Sequence, residues 1–204
     1  MKKILILSGT PKIEGITYSF VTTAEETAKE IGLEYETVAL SQIGLQKCRM
    51  CKDGWGICFK EHVCQFNDTF NALLEKVKEA DAFIYISPVY WGEISEDMKI
   101  YLDKLRRCQA TKQWDSRKEE VSYHAGKPSI IVVNAGGGGG GILTAFQDIE
   151  RAVSQMGGDS WPRYSKGICD FIAVNRWNQE YKREALKSAI KTMKKHATTD
   201  PSDM

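Results

Sequence analysis

The feature that most constrains the fold is a short apolar run near the N-terminus, followed at once by a loop of glycine and hydroxyl residues. Residues 4–7 are apolar at every position, which is typical of a strand buried on both faces of a parallel sheet. The loop spans residues 8–17, and an amphipathic stretch begins at its end. Because strand, loop and helix in this order form the repeating unit of α/β folds, the sequence predicts a parallel sheet.

The same alternation continues along the chain. Strands are predicted at residues 4–7, 33–40, 82–87 and 129–133, with a fifth at 159–163 or within 167–174. Helices are predicted at 17–31, from a cap at Asn67 or Asp68 to about 79, from a cap at Ser95 to about 107, at 143–156 and at 179–196. Residues 45–64 and 109–126 have no period and are predicted to be irregular. We expect a single domain at 1–197 with a cysteine-rich insertion at 45–66, and a disordered tail at 198–204.

Composition narrows the class of protein. The chain has 204 residues, of which 42% are hydrophobic, and a formal net charge of +1. These values are ordinary for a globular domain and argue against binding to nucleic acid or to a membrane surface. No run approaches the roughly 20 apolar residues that span a bilayer, and the apolar N-terminal run is too short for a signal peptide. A cytoplasmic protein is therefore expected, in which the six cysteines are metal ligands or thiols rather than disulfides.

Three loops are predicted to meet at the carboxyl edge of the sheet, where α/β proteins bind their ligands. In the first loop, residues 8–17, the hydroxyls of Ser8, Thr10 and Thr17 can donate hydrogen bonds to phosphate oxygens, and Lys12 adds a positive charge. The helix that follows begins here, and a helix N-terminus favours an anion. The loop has neither the P-loop pattern nor the G-x-G-x-x-G spacing of dinucleotide sites. The alternative is a plain glycine and proline turn.

The other two loops are suited to a flat ligand. Residues 87–92 place Tyr90 and Trp91 directly after a buried strand, where they can form an aromatic platform or, alternatively, cover the end of the core. Residues 134–141 contain six consecutive glycines, which let a backbone lie against a planar ring; the alternative is a mobile linker. Each loop alone is a weak signal, and all three on one edge predict a ligand site.

These loops resemble those of the NAD(P)H-dependent FMN reductases. The resemblance rests on Gly9-Thr10-Pro11-Lys12 followed by Gly15-Ile16-Thr17, and on residues 87–92 followed by Met98, Lys99 and Asp103. It covers roughly residues 2–160 and implies a flavodoxin-like three-layer sandwich, with a five-stranded parallel sheet of order 2-1-3-4-5, in a dimer or tetramer. The residues that the resemblance implies for FMN binding are Ser8, Thr10, Lys12, Gly15, Thr17, Tyr18, Pro88, Val89, Tyr90, Trp91, Gly92, Ala135, Gly136 and Gly137. Lys12 and Ile16 depart from the arginine and asparagine that are usual in this family.

Four cysteines lie close together in the insertion. Cys48, Cys51, Cys58 and Cys64 fall within seventeen residues, a density that suits a tetrahedral metal site or an iron–sulfur cluster. Iron–sulfur flavoproteins of the same family carry a compact four-cysteine motif at this position, which implies a [4Fe–4S] cluster. Here Gly54 stands where the third cysteine of that motif is usual, so a cluster, zinc and reduced thiols all stay open. Cys108 and Cys169 are expected to be isolated, buried small side chains.

The resemblance implies a flavin-dependent oxidoreductase. FMN would be its cofactor, and a small molecule such as a quinone, an azo compound or free flavin its acceptor. NAD(P)H is the expected donor, or a ferredoxin-like protein if a cluster is present. The alternatives are a flavodoxin-like electron carrier, against which the net charge of +1 argues because such carriers are acidic, and a redox-sensing module. No residue is identified as catalytic; Tyr18 and Tyr90 are candidates by position only, and the three histidines have no spacing that indicates a site.

Overall fold

A computed structural model describes residues 1–66, 69–114, 122–157 and 171–198 of the chain. Within these ranges strands and helices alternate as the sequence pattern predicts. The elements are β1 (Lys3–Ser8), α1 (Ile16–Glu30), β2 (Glu34–Ala39), α2 (Cys51–Gly54), α3 (Thr69–Glu79), β3 (Ala82–Tyr90), β4 (Glu93–Ile94), α4 (Glu96–Trp114), β5 (Ser129–Asn134), α5 (Ile142–Gln155), β6 (Phe171–Val174) and α6 (Gln179–Thr198), with 3₁₀ turns at Leu40–Gln42 and Ile57–Phe59. None of the described helices has the length and apolar character that crossing a bilayer requires.

The sheet has the flavodoxin-like arrangement. Its five parallel strands lie in the order β2-β1-β3-β5-β6, and β4 pairs antiparallel with the end of β3. The prediction of five parallel strands in this order is confirmed, and within the described residues the sheet has β4 as a sixth strand, because the chain turns back on itself after Tyr90. Ser8 pairs with Ile86, and Pro88 pairs with Asn134. The strands that precede the three candidate loops therefore end next to one another.

Both faces of the sheet are covered, which explains why its strands are apolar throughout. Leu5 and Leu7 point to a core formed with α3, α4 and α5, and Ile4 and Ile6 point to a second core formed with α1 and α6. All four side chains are completely buried. Burying a side chain of this size stabilises the fold by about 1.5–3 kcal/mol, so β1 is held firmly at the position from which the first loop leaves.

Three stretches differ from the sequence-based expectation, and a fourth settles between two predicted positions. β3 continues to Tyr90 because its last residues pair with β4. α4 continues to Trp114, into the stretch 109–126 that was expected to be irregular, and Gln109 and Ala110 on it are buried. The stretch 45–64 contains α2 and a 3₁₀ turn. The fifth parallel strand lies within 167–174, and the alternative at 159–163 falls outside the described residues, as do the proposed caps Asn67 and Asp68 and the tail from residue 199.

A buried histidine lies beneath the sheet on the α3–α5 side. His124 is completely buried, its Nε2 is hydrogen-bonded to the Tyr85 hydroxyl at 2.7 Å, and its ring stacks on Phe83 at 4.1 Å between centroids. Burial, with a smaller contribution from the charge of Lys127, lowers the pKa of His124 to about 3. The folded protein therefore holds this imidazole neutral at every pH at which it is ordinarily handled.

This neutral histidine makes stability depend on pH. The unfolded chain protonates His124 near its ordinary pKa of about 6.5, whereas the folded chain does not, so stability is held above that pH and lost as the pH falls towards 3. Between about pH 7.5 and about pH 5, His124 alone should remove about 2 kcal/mol from the free energy of unfolding. Urea unfolding at both pH values should show a smaller loss for His124→Gln than for the unsubstituted protein. Equal losses in the two proteins would contradict this.

Candidate functional site

The first loop leaves β1 in a rigid conformation. The Gly9 N–H donates to the Ile86 carbonyl at 2.8 Å, and the Thr10 carbonyl accepts from the Ser41 hydroxyl at 3.0 Å. Space is tight at Gly9, where a Cβ would come 2.4 Å from the Ser95 hydroxyl oxygen. Ser8 and Thr10 are buried, whereas Lys12 is exposed on the outer part of the loop. The hydroxyls of Ser8 and Thr10 and the charge of Lys12 thus lie at two depths of one loop.

The start of α1 is a ready anion site. The helix begins at Ile16 after Gly15, which has φ 90° and provides no side chain to cap the first N–H groups. The buried Thr17 side chain lies in this first turn, and its hydroxyl oxygen accepts from Nδ2 of Asn134 at 2.9 Å. N–H groups without a cap, together with the positive end of the helix dipole, favour a phosphate or carboxylate.

Tyr18 lies on a different side of this loop. With Ile13 it lines a groove of about 530 Å³ between α1 and the edge strand β2, where Thr37 and Ala39 form the opposite wall. The structure thus brings Ser8, Thr10 and Thr17 to the carboxyl edge between β1 and β5, and places Tyr18 in the groove on the β2 side.

The second loop presents its aromatic side chains to solvent. Trp91 is fully exposed with φ 53°, Tyr90 is half exposed, and Pro88 is buried with Val89 half-buried beside it. The prediction's alternative, in which these aromatic residues cover the end of the core, is therefore excluded.

The base of the second loop is well fixed. The Ser87 hydroxyl donates to the Pro88 carbonyl at 2.8 Å and accepts from the Ser95 N–H at 3.1 Å. The Ser95 hydroxyl in turn accepts from the Met98 N–H at 3.4 Å, which confirms Ser95 as the cap of α4. A tight base and an open tip are what a platform for a flat ligand requires.

The third loop touches the second. A Cβ on Gly141, which has φ 78°, would lie 2.2 Å from the Cα of Gly92, so only glycine allows this approach of the two backbones. Ala135 is buried, whereas Gly136 and Gly137 are exposed, and a Cβ added to either glycine would meet nothing within 4 Å. The glycine run is therefore anchored at both ends and open in the middle, as a ligand-facing backbone should be.

Sequence reasoning missed two features of this edge. Asn134, the last residue of β5, contacts the first loop through Thr17, although the two are 117 residues apart. A fourth loop after β6 reaches the third loop, since Asn175 lies near Gly139, and it carries the largely exposed Trp177. For Asn134, the only signal in the sequence was a polar side chain at the end of a predicted strand. The fourth loop was missed because the position of the last strand, β6, was uncertain.

The cysteine insertion forms a separate cavity against α4. Its volume is about 400 Å³, and five cysteines line it: Cys48, Cys51, Cys58, Cys64 and Cys108. None of the five is in a disulfide. The four predicted ligands thus line one cavity, together with Cys108, which was expected to be isolated. Cys169 lies outside the described residues. Within the described part of the chain, no three candidate ligands are close enough to hold a metal ion.

Two cations from α4 also face this cavity. The Lys104 ammonium lies 5.1 Å from the centroid of the Phe70 ring, and the Arg107 guanidinium lies 5.0 Å from that of Trp55 while donating to the Gly54 carbonyl. Burial strongly raises the pKa of the Cys108 thiol, with further contributions from neighbouring cysteines. The donor set has the soft sulfur chemistry of an iron–sulfur or zinc site, and the cations can balance its negative charge.

An uncapped helix end, an exposed aromatic loop and an open glycine loop lie at one carboxyl edge, where α/β folds of the flavodoxin-like class bind their ligands. The fold and this edge together place the chain in that class. Residues 2–157 match the family described as NADPH-dependent FMN reductase. The chain therefore belongs to that family, as the loop motifs predicted.

Comparisons with individual proteins agree. An iron–sulfur flavoprotein from Methanocaldococcus jannaschii is 36% identical over 104 residues, which are 51% of this chain and 52% of the relative, so the chain spans about half the length of that protein. The fold is similar to that of an NAD(P)H:quinone oxidoreductase from Methanothermobacter marburgensis, with TM-score 0.65, 14% identity and 98% of each chain covered. It is also similar to a flavodoxin from Streptococcus pneumonia, with TM-score 0.61, 12% identity, and 96% of this chain and 99% of the other covered.

The contact between Gly92 and Gly141 is testable with neighbouring glycines. Gly141→Ala should destabilise the protein by about 1–3 kcal/mol, because the new methyl group meets the Gly92 backbone at a positive φ. Gly140→Ala, the matched control, has nothing within 4 Å of its new methyl group and should change stability by less than about 1 kcal/mol. Urea unfolding without added ligand measures both. A Gly141→Ala protein as stable as Gly140→Ala would show that the two loops do not meet.

Proposed function

We propose that this chain is an FMN-dependent oxidoreductase that binds FMN across the three loops at the carboxyl edge of the sheet. The observation that carries the proposal is the uncapped N-terminus of α1, with the buried Thr17 side chain in its first turn and the buried Thr10 side chain in the loop before it. It is the anion site of an edge whose other two loops offer an aromatic platform and an open glycine backbone. FMN, when bound, accepts a hydride or single electrons, and the protein supplies its binding and orientation.

Each loop has one part of the cofactor to hold. The phosphate would be surrounded by residues of the first loop: Ser8, Thr10, Lys12, Gly15 and Thr17. Tyr18, which follows this loop, is also part of the proposed site. The second loop would line the ring and the ribityl chain with Pro88, Val89, Tyr90, Trp91 and Gly92. The third loop would approach the other edge of the ring with Ala135, Gly136 and Gly137. Since Lys12 is exposed and carries a point charge rather than a guanidinium fork, it adds attraction but no bidentate grip.

The double variant Thr10→Ala with Lys12→Ala tests this placement. Removing a buried hydroxyl and the loop's cation should weaken FMN binding about 100-fold. The matched control is Thr22→Ala with Lys29→Ala, which removes the same residue types from the middle and far end of α1. Titration of the apoprotein with FMN, followed by flavin fluorescence, measures both. Unchanged affinity in the first double variant would show that the phosphate lies elsewhere.

The same proteins distinguish an enzyme from an electron carrier. Loaded with FMN, the unsubstituted chain should oxidise NAD(P)H continuously when a quinone or an azo compound is supplied. The Thr10→Ala, Lys12→Ala variant should recover this turnover only at FMN concentrations that overcome its weaker binding. A flavin that is reduced but passes no electrons to any small acceptor would favour the carrier.

We further propose that the cysteine cavity holds an iron–sulfur cluster. Relatives at 30–36% identity are named iron–sulfur flavoproteins, and the cavity offers the thiols of Cys48, Cys51, Cys58 and Cys64 beside two cations. The thiols would have to move together, which α2 and the 3₁₀ turn, each a single helical turn, allow. A cluster would accept single electrons from a ferredoxin-like donor; without one, NAD(P)H is the donor. A cytoplasmic homodimer or homotetramer is the assembly we propose.

Metal analysis tests the cluster. Protein purified without oxygen should contain about four irons and four sulfides per chain, and Cys51→Ala should lose most of them. Cys169→Ser, which changes a cysteine distant in sequence, is the control and should keep them. Less than about one iron per chain would overturn the cluster, and stoichiometric zinc would assign the cavity to a structural metal instead.

A further inference from the structure

Asn134 has an unusual position for a buried amide. It is the last residue of β5, it is 7% exposed, and its Nδ2 donates to the Thr17 hydroxyl oxygen at 2.9 Å. This single hydrogen bond links the strand that leads into the third loop with the helix that follows the first loop. Both partners therefore belong to the candidate ligand edge.

The hydrogen bond sets the direction of the Thr17 hydroxyl. Because the hydroxyl oxygen accepts from Asn134, its proton is left to donate elsewhere. Thr17 is the second residue of α1, in a first turn whose N–H groups have no side-chain cap. A phosphate placed there would receive this proton together with the backbone N–H groups. Asn134 thus prepares Thr17 as a donor without touching the phosphate itself.

The other polar atom of the amide has no partner. Among the residues that the structure describes, Oδ1 of Asn134 is buried and forms no hydrogen bond. A buried carbonyl oxygen without a donor costs free energy, and such atoms are rare in folded proteins unless a ligand or a water supplies the donor. The missing donor must reach the end of β5, where Asn134 contacts the first turn of α1.

We infer that Asn134 is a further FMN-binding residue, whose Oδ1 accepts a hydrogen bond from a ribityl hydroxyl while its Nδ2 turns the Thr17 hydroxyl towards the phosphate. The inference rests on the FMN site proposed above. A polyol chain that ends in a phosphate is the ligand chemistry that satisfies both halves of this amide: a hydroxyl donor for Oδ1 and an anion for Thr17. Asn134 lies where the third loop begins, which is where the chain between ring and phosphate would pass.

Three flavins separate the two halves of the inference. FMN has the ribityl chain and the phosphate, riboflavin has the chain alone, and lumiflavin has neither. Asn134→Ala should lower the affinity for FMN at least about tenfold and the affinity for riboflavin about tenfold. It should leave the affinity for lumiflavin within about twofold of that of the unsubstituted protein. Asn134→Asp keeps an acceptor for the ribityl hydroxyl but no donor for Thr17, and its carboxylate repels a phosphate. This variant should keep its affinity for riboflavin within about threefold and lose at least about tenfold in its affinity for FMN.

Ser129→Ala is the matched control. Ser129 begins the same strand at its amino end, is 1% exposed, and has a hydroxyl oxygen without a partner among the described residues. Its removal should leave all three flavin affinities unchanged, because the ligand edge is at the opposite end of β5. Thermal unfolding of each variant shows whether it is folded at the temperature of the titration.

The outcomes either support or overturn the inference. Unchanged FMN and riboflavin affinities in Asn134→Ala would overturn it, and so would an equal loss for lumiflavin, which would mean a structural role only. If Asn134→Ala lowers the affinity for FMN but not for riboflavin, the proposed hydrogen bond between Oδ1 and a ribityl hydroxyl is wrong. If Thr10→Ala with Lys12→Ala also leaves FMN binding unchanged, the proposed site itself is wrong. If the double variant lowers the affinity for FMN while the Asn134 variants do not, only the inference about Asn134 fails.

Discussion

The parallel pairing of β1, β3 and β5 is the constraint on which the rest of the molecule depends. It aligns Ser8 with Ile86 and Pro88 with Asn134, so three loops that are far apart in sequence begin on three adjacent strands, each one strand spacing from the next. Hydrogen bonds then fix how two of the loops depart. The Gly9 N–H donates to the Ile86 carbonyl in the first loop, and the Ser95 N–H donates to the Ser87 hydroxyl in the second. A site assembled this way needs little reorganisation to receive a ligand, because the sheet has already ordered its parts.

The two covered faces of the sheet have separate roles in this arrangement. The face with α1 supplies the helix end that we propose for the phosphate, and the face with α4 supports the cysteine cavity. α4 connects the two regions. Its first turn is capped by Ser95 next to the second loop, and its later turns carry Lys104 and Cys108 into the cavity wall. A redox group in the cavity and a flavin at the carboxyl edge would thus share one helix as a rigid support.

Much of this could be predicted from the sequence, since the deciding information was local. β1 was recognised because every position in residues 4–7 faces a core, and the helix start after residues 8–17 was recognised because hydroxyl residues, glycines and an amphipathic stretch follow one another directly. The family membership followed from the same short motifs. The membership of individual residues in the FMN site is still a prediction.

What sequence reasoning missed depends on contacts between distant parts of the chain. Asn134 meets Thr17 across 117 residues, and no local pattern marks that pair. Cys108 resembles a small core residue until α4 packs against the insertion. The sixth strand and the added length of β3 arise from a hairpin of only two paired positions, which is too short to produce a period. Helix α4 was predicted too short because its polar second half conceals the buried Gln109 and Ala110.

The most direct test of the central claim is a crystal structure of the chain grown with FMN. We expect the phosphate to lie at the first turn of α1, within hydrogen-bond distance of the Thr10 and Thr17 side chains, and the ring to lie between the second and third loops. A flavin bound in the groove beside β2 or in the cysteine cavity, or a protein that takes up no FMN, would contradict this placement.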